Sequence, residues 1–506
     1  MSRIAFFTIT DRDYFPGALA TVNSVLLYHG DVDVWVVEDQ QRPFLPAQRR
    51  LFGQRACVRT VQASEVIPPG AVVDVVTLKA YATRALLSRY DVIVGIDADC
   101  VLCSPIDDVI EACAREGGLA GGGIPLDARA WHGLLSAHDL PCMSVALFAV
   151  ACTDANRRLV DRWVACCEVA EFNGRGSWPG ADDQEIFSAV LHAEGAFGRV
   201  RLIDNRVWSQ HWTYWDSSIV REGSTFVNLQ AGRQRQRAFH GGGHPKFWDP
   251  AHRDRVLDGH PAQRYPFIWF LAMLWFGACS DRSRDPVEYL APGHQHLLDD
   301  LVHHLPEILQ IYSPARLGWR DSGMPLLERA LRGIPRFLSA GGSLTELMRL
   351  VEAHPHVRRF VEVGSFEGGT LLALGLRFLY RDIDFYAVES FTGNLDGTMD
   401  GRPLPSRRRF VEHLRRFPGL RVRLVPGDSV RAAALFDDRS LDFVFIDAAH
   451  DTASVLADID AWLPKVANGG VIAGDDYGWP TVEAAVDGRF PARHVSQSGA
   501  VWWTRI

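Results

Sequence analysis

The chain has 506 residues, of which 47% are hydrophobic and 23% are charged, and its formal net charge is −8. This length predicts about two to four domains. The negative net charge gives no indication of the basic surface with which proteins bind nucleic acids. The longest apolar run, around residues 267–278, is too short to cross a bilayer of about 30 Å, and we expect no signal peptide. Nine scattered cysteines fit a reducing compartment, so the sequence predicts a cytoplasmic protein.

The first part of the chain alternates short hydrophobic strands with helical segments. The pattern predicts strands over residues 3–11 and 32–39, around Val58, and from Val92, with a helix over about 79–88 before the last of these. Such alternation is typical of a doubly wound α/β sheet.

An acidic pair follows the predicted strand that begins at Val92. The β-branched run there indicates a buried parallel strand, and it leads into the motif Asp97-Ala98-Asp99. Side chains two positions apart leave a strand on the same side, and the carboxyl ends of strands are where open α/β sheets bind ligands. Oxygen ligands of this kind suit Mn²⁺ or Mg²⁺ holding a diphosphate. Two solvated loop acids are the alternative interpretation.

Two further groups of polar residues in this part are candidate ligand contacts. Thr10, Asp11 and Tyr14 follow the first strand, where an acid and an aromatic ring suit a nucleobase, although an ordinary loop would carry the same residues. Asp183 and Gln184 stand at the start of a predicted helix, where such residues either cap the helix or bind a sugar.

A glycine run flanked by His240 and Lys246 comes next. Glycine lets the backbone approach a ligand closely, and His240 is a candidate third metal ligand. Lys246 is a point charge suited to a departing diphosphate. The alternative is a histidine satisfied by its surroundings, which is the commoner role of a lone histidine.

Residues 1–250 resemble the family 8 glycosyltransferases of the GT-A fold, which include glycogenin and bacterial lipopolysaccharide galactosyltransferases. The resemblance rests on four motifs in the family's order: TDRDY near the start, D-A-D at Asp97, D-Q-E at Asp183, and H-x-x-G-x-x-K-x-W from His240 to Trp248. It implies a nucleotide-sugar donor, most simply a UDP-sugar, and retention at the anomeric carbon. The family's Asn-Ser-Gly segment appears here as Cys142–Phe148, so the donor sugar stays open.

The resemblance also implies roles for the matched residues. Mn²⁺ would be held by Asp97, Asp99 and His240. The donor would be contacted by Thr10, Asp11, Tyr14, Asp97, Gly243, Lys246 and a basic residue before the D-A-D motif, for which Lys79 and Arg84 are both candidates. The residues implied in catalysis are Asp183, Gln184 and Lys246.

Residues 251–342 are predicted to be a helical linker region between two domains. Helices are expected over about 266–276, 296–309 and 325–338, and the first contains the aromatic residues Trp269 and Phe270. These rings suit core packing, with a hydrophobic acceptor groove as the alternative.

Residues 343–506 show a second alternation of strands and helices. A glycine-rich turn with Gly364 and Gly368 follows the first strand, and each later strand ends in polar residues. Those strand-end residues are Glu389, Asp428, Ser429, Asp447, His450, Asp475 and Asp476. The last residues, 501–506, are predicted to form an antiparallel closing strand.

This part resembles class I S-adenosylmethionine-dependent methyltransferases, and the motifs D-A-A-H and G-G-V-I-A-G-D-D-Y resemble metal-dependent sugar O-methyltransferases of macrolide and aminocoumarin biosynthesis. The resemblance implies that Glu362, Gly364, Gly368 and Glu389 surround the methionine and ribose of the cofactor. It places Asp428 and Ser429 near the adenine. It also implies that Mg²⁺ is held by Asp447, Asp475 and Asp476 and that His450 is the general base.

The sequence therefore predicts two doubly wound α/β sheets, a GT-A domain and a Rossmann-like methyltransferase domain, joined by a helical segment. The leading hypothesis is a bifunctional enzyme that transfers a sugar to a small-molecule, peptide or glycan acceptor and O-methylates a sugar hydroxyl, in either order. One alternative is a methyltransferase whose glycosyltransferase-like half only binds ligands. Another alternative is that the second domain keeps the methyltransferase fold but does not transfer a methyl group. Whether the chain forms a homo-oligomer stays open.

Overall fold

The computed structural model describes residues 2–30, 32–39, 42–69, 75–124, 140–169, 183–209, 219–222, 225–241, 246–251, 261–276, 289–305, 307–308, 330–335, 343–378, 381–393, 404–417 and 420–506. The chain divides into two compact units, Met1–His304 and Leu305–Ile506. Among the described helices, none combines the length and apolar character that a membrane span requires.

The first unit contains twelve described strands. They are β1 (Ile4–Thr10), β2 (Asp33–Glu38), β3 (Val58–Gln62), β4 (Val92–Ile96), β5 (Cys100–Leu102), β6 (Leu119–Ile124), β7 (Cys142–Ala151), β8 (Val200–Asp204), β9 (Ile219–Glu222), β10 (Thr225–Asn228), β11 (Gln234–Arg235) and β12 (Ala238–His240). Seven form the main sheet, in the order β3-β2-β1-β4-β7-β6-β8. β7 runs antiparallel to both neighbours, while the other pairs in this sheet are parallel.

Helices cover this sheet. They are α1 (Phe15–His29), α2 (Pro46–Phe52), α3 (Val75–Leu87), α4 (Asp107–Glu116), α5 (Asp154–Val169), α6 (Asp183–Ala193), α7 (Asn205–Trp208), α8 (Pro261–Phe276) and α9 (His296–His303). Short 3₁₀ turns lie at Ala63–Glu65, Phe197–Arg199 and Pro292–His294. The strand from Val92 is buried along its whole length, as its continuous hydrophobic run predicts.

Helix α8 belongs to the region predicted as a linker, and it packs against α1 in the first unit. Trp269 donates its indole N–H to the carbonyl of Leu102 over 2.8 Å, and Asn23 of α1 donates to the carbonyl of Met273 over 2.6 Å. Trp269 and Phe270 are buried. These rings therefore form core contacts, in agreement with the first of the two interpretations of the aromatic segment.

The second unit contains one seven-stranded sheet. Its strands are β13 (Arg359–Val363), β14 (Asp384–Glu389), β15 (Val422–Pro426), β16 (Leu441–Ile446), β17 (Val466–Gly474), β18 (His494–Val495) and β19 (Trp502–Arg505), in the order β15-β14-β13-β16-β17-β19-β18. The first five are parallel. β19 pairs antiparallel with β17, so the predicted closing strand is confirmed.

The helices of the second unit flank this sheet. They are α10 (Ser343–Ala353), α11 (Gly369–Arg377), α12 (Arg407–Arg415), α13 (Ser429–Ala433), α14 (Thr452–Trp462) and α15 (Pro480–Arg489), with a 3₁₀ turn at Leu463–Lys465. The buried core includes the inward-facing residues of β13 and β16 and Trp462 of α14. Parallel strands alternating with helices give a doubly wound α/β unit.

Eight cysteines lie in the described part of the chain. Cys100 and Cys103 have a C-x-x-C spacing. Both are buried, and burial raises their thiol pKa values well above the usual range. These two residues therefore behave as apolar core side chains rather than as reactive thiolates.

Candidate active sites

The D-A-D motif forms a tight turn between β4 and β5. The amide of Asp97 donates to the carbonyl of Ala146 in β7 over 2.8 Å, and the amide of Cys100 donates to the carbonyl of Asp97 over 2.9 Å. The two acids therefore leave the sheet at the carboxyl end of β4, beside the end of β1.

Small residues in the first turns of α1 hold this turn in place. Thr21 donates its hydroxyl to the carbonyl of Cys100 over 3.0 Å. A Cβ atom added to Gly17 would lie 2.3 Å from the carbonyl oxygen of Ala98 and 2.2 Å from the ring of Trp248, so only glycine allows this approach. Sequence reasoning missed both α1 residues, although a run of small residues at a helix start is a visible signal of close packing.

An antiparallel pairing of β5 with β12 brings a histidine to the acids. His240 lies opposite Cys100 in this pairing, and its Nε2 is 3.4 Å from Oδ1 of Asp99. Ligand atoms of Asp97, Asp99 and His240 all lie within 4.8 Å of one another. Two carboxylates and an imidazole suit a divalent cation, and burial raises the pKa of Asp97, as expected of an acid whose charge lacks full compensation.

A buried lysine connects this cluster to the start of α6. Nζ of Lys79 lies 2.7 Å from Oδ1 of Asp97 and 2.6 Å from Oδ2 of Asp183, and it also donates to the carbonyl of Val145 over 3.3 Å. Burial alone would lower the pKa of Lys79, but the carboxylates of Asp183 and Asp97 outweigh burial and raise it above the usual value. Lys79 is therefore a fixed positive charge between two acids.

A second lysine pairs with the other acid of the motif. Nζ of Lys246 forms an ion pair with Asp99 and lies 5.3 Å from the centre of the Tyr14 ring. Tyr14 in turn makes an edge contact with Trp248, with ring centres 5.2 Å apart. Burial opposes ionisation of Asp99, yet Lys246 and His240 hold its pKa well below the usual value.

The residues predicted to contact the nucleobase lie at the end of β1. Oδ1 of Asp11 accepts hydrogen bonds of 2.9 Å from the amides of Asp13 and Tyr14, and the hydroxyl of Thr10 donates to the carbonyl of Asp11 over 3.2 Å. Burial raises the pKa of Asp11. This acid therefore shapes the loop with one oxygen, and Tyr14 joins the loop to Lys246.

The other predicted donor residues differ in position. The amide of Gln184 donates to Oδ1 of Asp183 over 3.1 Å, so Gln184 follows directly on the lysine-bound acid. Arg84 lies over the ring of Tyr81 and lines a surface depression with Arg157. Of the two basic candidates, the structure brings Lys79 to the acids and not Arg84. Gly243 lies outside the described residues.

The second unit has its own constellation at the carboxyl ends of its parallel strands. Gly364 adopts φ +91°, and a Cβ there would lie 2.0 Å from the carbonyl oxygen of Asp447. Gly368 precedes α11 with φ +84°. Glu389 accepts from the amide of Phe366 over 2.6 Å and from the amide of Phe391 over 2.8 Å. The turn after β13 is thus tied to the end of β14.

Glu362 is a buried acid behind this turn. It is 1% exposed, and among the described residues its Oε2 finds no hydrogen-bond partner. Burial, reinforced by the charge of Glu389, raises the pKa of Glu362 to about 8. A buried carboxyl with one oxygen unpaired among the described residues, beside a glycine turn, fits a ligand that brings a cationic or donor group.

An acidic cluster with a histidine lies at the ends of β16 and β17. Nε2 of His450 is 2.9 Å from Oδ2 of Asp476, and ligand atoms of Asp447, His450 and Asp476 lie within 4.8 Å of one another. Burial and then Asp475 raise the pKa of Asp447 well above its usual value. Burial and then Asp476 raise the pKa of Asp475 to about 6. Burial and mutual repulsion oppose the ionisation of these neighbouring acids, and a bound divalent cation would stabilise their carboxylate forms.

Sequence reasoning missed a tryptophan in this second cluster. The ring of Trp479 lies 4.8 Å from the ring of His450, and Trp479 is 44% exposed. The signal was present, because Trp479 follows the D-D-Y motif by two residues. The imidazole of His450 is therefore held between a carboxylate and an aromatic ring.

Asp428 and Ser429 both make structural contacts in the described chain. Asp428 caps α13 by accepting from the amide of Arg431 over 3.0 Å, and the hydroxyl of Ser429 donates to Asp458. They lie after β15, next to the β14 edge that ends in Glu389. Their expected place near an adenine stays a prediction.

A family model described as a methyltransferase domain matches residues 361–477. This range runs from β13 past β17 and contains the glycine turn and the acidic cluster of the second unit. No curated protein matches the chain.

Three solved structures are among those to which parts of the chain are similar. The WbbM bifunctional glycosyltransferase is 12% identical with a TM-score of 0.39, covering 55% of this chain and 50% of that one, so this chain spans half its length. The galactosyltransferase LgtC is 13% identical with a TM-score of 0.38, covering 56% and 98%. The O-methyltransferase NovP is 22% identical with a TM-score of 0.28, covering 32% and 78%. The match to the methyltransferase-domain model, over residues 361–477, lies wholly within the second unit of the chain.

Proposed function

We propose that the chain is a bifunctional transferase. Its first unit would transfer a sugar, with retention, from a nucleotide-sugar donor of the UDP-sugar class to an acceptor. Its second unit would O-methylate a sugar hydroxyl with S-adenosylmethionine. The observation that supports this most directly is that each unit gathers acids and a histidine at the carboxyl ends of its parallel strands, the usual ligand position in this architecture.

In the first unit, Asp97, Asp99 and His240 would hold Mn²⁺. A divalent cation there supplies positive charge against the developing charge of the departing diphosphate. Lys246 already lies beside Asp99, so it would share in that stabilisation when the diphosphate takes the place of the ion pair. Asp183 and Gln184 begin α6 next to Lys79, where they would face the donor sugar.

In the second unit, His450 would accept the proton of the acceptor hydroxyl, since an imidazole can do so near neutral pH. Asp476 and Trp479 orient its ring. Mg²⁺ held by Asp447, Asp475 and Asp476 would lower the pKa of that hydroxyl, and S-adenosylmethionine supplies the methyl group. Gly364, Gly368, Glu362 and Glu389 would shape the cofactor site, and the alignment of methyl group and hydroxyl is a positioning task.

Two ligand titrations and one product assay test the proposal. Calorimetry of the full chain should show Mn²⁺-dependent binding of uridine diphosphate that Asp97→Asn abolishes, and binding of S-adenosylmethionine that Gly364→Val abolishes. Mass spectrometry of reactions with a panel of UDP-sugars, S-adenosylmethionine and acceptors should then show one sugar and one methyl added. Absence of uridine diphosphate binding would reject the first activity, and absence of S-adenosylhomocysteine release would reject the second.

The lysine pairs support one specific alternative for the first unit. Lys79 and Lys246 neutralise the acids from within the protein, so this unit could bind ligands without turning them over. Hydrolysis of the UDP-sugar in the absence of acceptor separates the two functions, because only a catalytic unit releases free uridine diphosphate.

A further inference from the structure

A pocket lined by arginines lies in the first unit, near Ala238, the first residue of β12. Its volume is about 310 Å³. Its wall contains Arg201, Arg235 and Arg237, the acid Asp108, and apolar side chains that include Val207 and Trp208. We call it the arginine pocket. None of these residues takes part in either of the two candidate active sites.

The arginines come from two segments that the fold brings together. Arg201 lies on β8 and Arg235 on β11. Arg237 is fixed in place, because its guanidinium donates to the carbonyl of Pro105 over 2.6 Å and to Asp108 over 2.9 Å. Its side chain is only 23% exposed. The pocket is therefore a defined structure around one immobilised guanidinium group.

The charges in this pocket do not balance. Three guanidinium groups face one lining carboxylate, Asp108. Arg201 has Glu116 at 4.0 Å outside the lining. Arg235 pairs with Val227 through the backbone of β11, but among the described residues its guanidinium group has no hydrogen bond or ion pair. A chain with a formal charge of −8 thus concentrates positive charge at one site. Like charges held close together raise the energy of the site unless an anion compensates them.

The chemistry of the lining indicates which anion fits. Guanidinium groups match the oxygens of phosphate with paired hydrogen bonds, and the buried side chains of Val207 and Trp208 form an apolar floor beside them. The volume is at the lower end of the range of about 300–1,000 Å³ for small-molecule sites. A phosphate group with a small apolar attachment satisfies both the charge and the size.

We propose that the arginine pocket binds a phosphate-class oxyanion at a site separate from the diphosphate position beside Lys246. Arg237 precedes His240 by three residues along the chain, which places the two about 10 Å apart if the segment is extended. The inference does not depend on either proposed transferase activity. The phosphate can belong to an acceptor molecule or to a free phosphorylated ligand.

Calorimetric titration with sodium pyrophosphate tests this site. The titration uses the full chain carrying Lys246→Gln, without divalent cations, so that the candidate active site contributes little. We expect saturable binding that weakens at least tenfold when Arg201→Gln and Arg235→Gln are added. Arg233→Gln is the matched control, because Arg233 is two residues from Arg235 but pairs with Glu222 and does not line the pocket. It should change the affinity less than twofold.

Two results would overturn the proposal: no binding by the Lys246→Gln chain, or binding that the double arginine substitution leaves unchanged. Arg235→Lys provides a milder variant, which keeps the charge but loses the paired donors and should weaken binding about threefold to tenfold. Competition between pyrophosphate and a phosphorylated acceptor would assign the phosphate to the acceptor. Simultaneous binding of both would assign the site to a free ligand.

Discussion

The ammonium nitrogen of Lys79 lies 2.7 Å from a carboxylate oxygen of Asp97, the first acid of the D-A-D motif. Because the same nitrogen lies 2.6 Å from Asp183, one buried charge fixes the positions of both acids. A divalent cation that binds Asp97 must therefore share this acid with Lys79 or take its place. Cation binding and the position of Asp183 are physically linked through this lysine.

Lys79→Met should lower the stability of the first unit. Removing one partner of a buried ion pair leaves uncompensated charge and typically costs about 3–5 kcal/mol. Urea unfolding measures the loss, and Mn²⁺ should restore part of it by replacing the lost positive charge at Asp97. Lys465→Met is the control, because its partner Asp438 is 71% exposed, and exposed pairs are worth about 1 kcal/mol or less. Equal losses in the two variants would contradict the bridging role.

The cluster around Lys79 also shows what the sequence could and could not predict. The strand before Asp97 was predictable from its β-branched run, and the paired acids from their spacing of two. The meeting of His240 with Asp99 depends on the pairing of β5 with β12, which no local pattern encodes. The glycine run made His240 a candidate metal ligand, and the family resemblance connected it with the two acids. Arg84 follows Lys79 by five residues, so it projects about 140° around the helix from it. The local sequence does not distinguish the two basic residues as candidates for contacting the donor. The helix distinguishes them, because it turns their side chains in different directions.

The second unit gives a similar lesson. Polar residues at the strand ends were predictable, because parallel strands present their carboxyl ends at one edge. The unsatisfied Oε2 of Glu362 and the ring contact of Trp479 with His450 depend on side-chain packing across several elements. Such contacts between distant segments leave no periodic signal in the chain.

The two activities should be separable by single substitutions. His450→Ala should lower methyl transfer by roughly 10²–10⁴-fold, the usual contribution of a general base, and leave sugar transfer intact. Lys246→Ala should do the reverse, because it removes a charge beside the proposed diphosphate site. Product analysis of each variant with both cosubstrates measures this. A parallel loss of both activities in either variant would show that the two units depend on one another.

Glu362 should make stability depend on pH in an unusual direction. Its pKa is about 8 in the folded chain against a usual 4.5, so the folded state holds this proton more tightly than the unfolded state. The stability that results is fully present below pH 4.5 and is lost as the pH rises through 8; it amounts to roughly 5 kcal/mol at most. Glu362→Gln should remove this decline, so that its urea midpoint exceeds that of the wild type at pH 8 but not at pH 5.

The exposed residue Glu483 provides the comparison for that experiment. Glu483→Gln should leave the pH profile unchanged, since this side chain lies at the surface and, among the described residues, makes no contact with the glycine turn. If Glu362→Gln followed the wild-type profile between pH 5 and 8, the decline would have to come from another group. Asp447, whose pKa is also raised, would then be the first to examine.

Trp479 should support catalysis by orienting His450. Trp479→Leu removes the ring that lies 4.8 Å from the imidazole, so we expect kcat for methyl transfer to fall roughly tenfold. The KM for S-adenosylmethionine should change little. Trp503→Leu is a matched control, because Trp503 stacks on His494 at 5.3 Å away from the acidic cluster. A fall of the same size in both variants would indicate a general loss of stability instead.

Gly364→Ala should disable the second site through the backbone. A Cβ at Gly364 would lie 2.0 Å from the carbonyl oxygen of Asp447, and the substituted alanine would also have to adopt the backbone angle φ +91°. The strained backbone alone costs about 1–3 kcal/mol, and the contact must in addition displace Asp447 from the acidic cluster. Gly499→Ala isolates the first effect, because Gly499 has φ +79° but no atom within 4 Å of an added Cβ. We expect Gly499→Ala to lower stability by about 1–3 kcal/mol and keep methyl transfer, and Gly364→Ala to lose both S-adenosylmethionine binding and activity. Retention of full activity in Gly364→Ala would show that the turn can move without disturbing the acids.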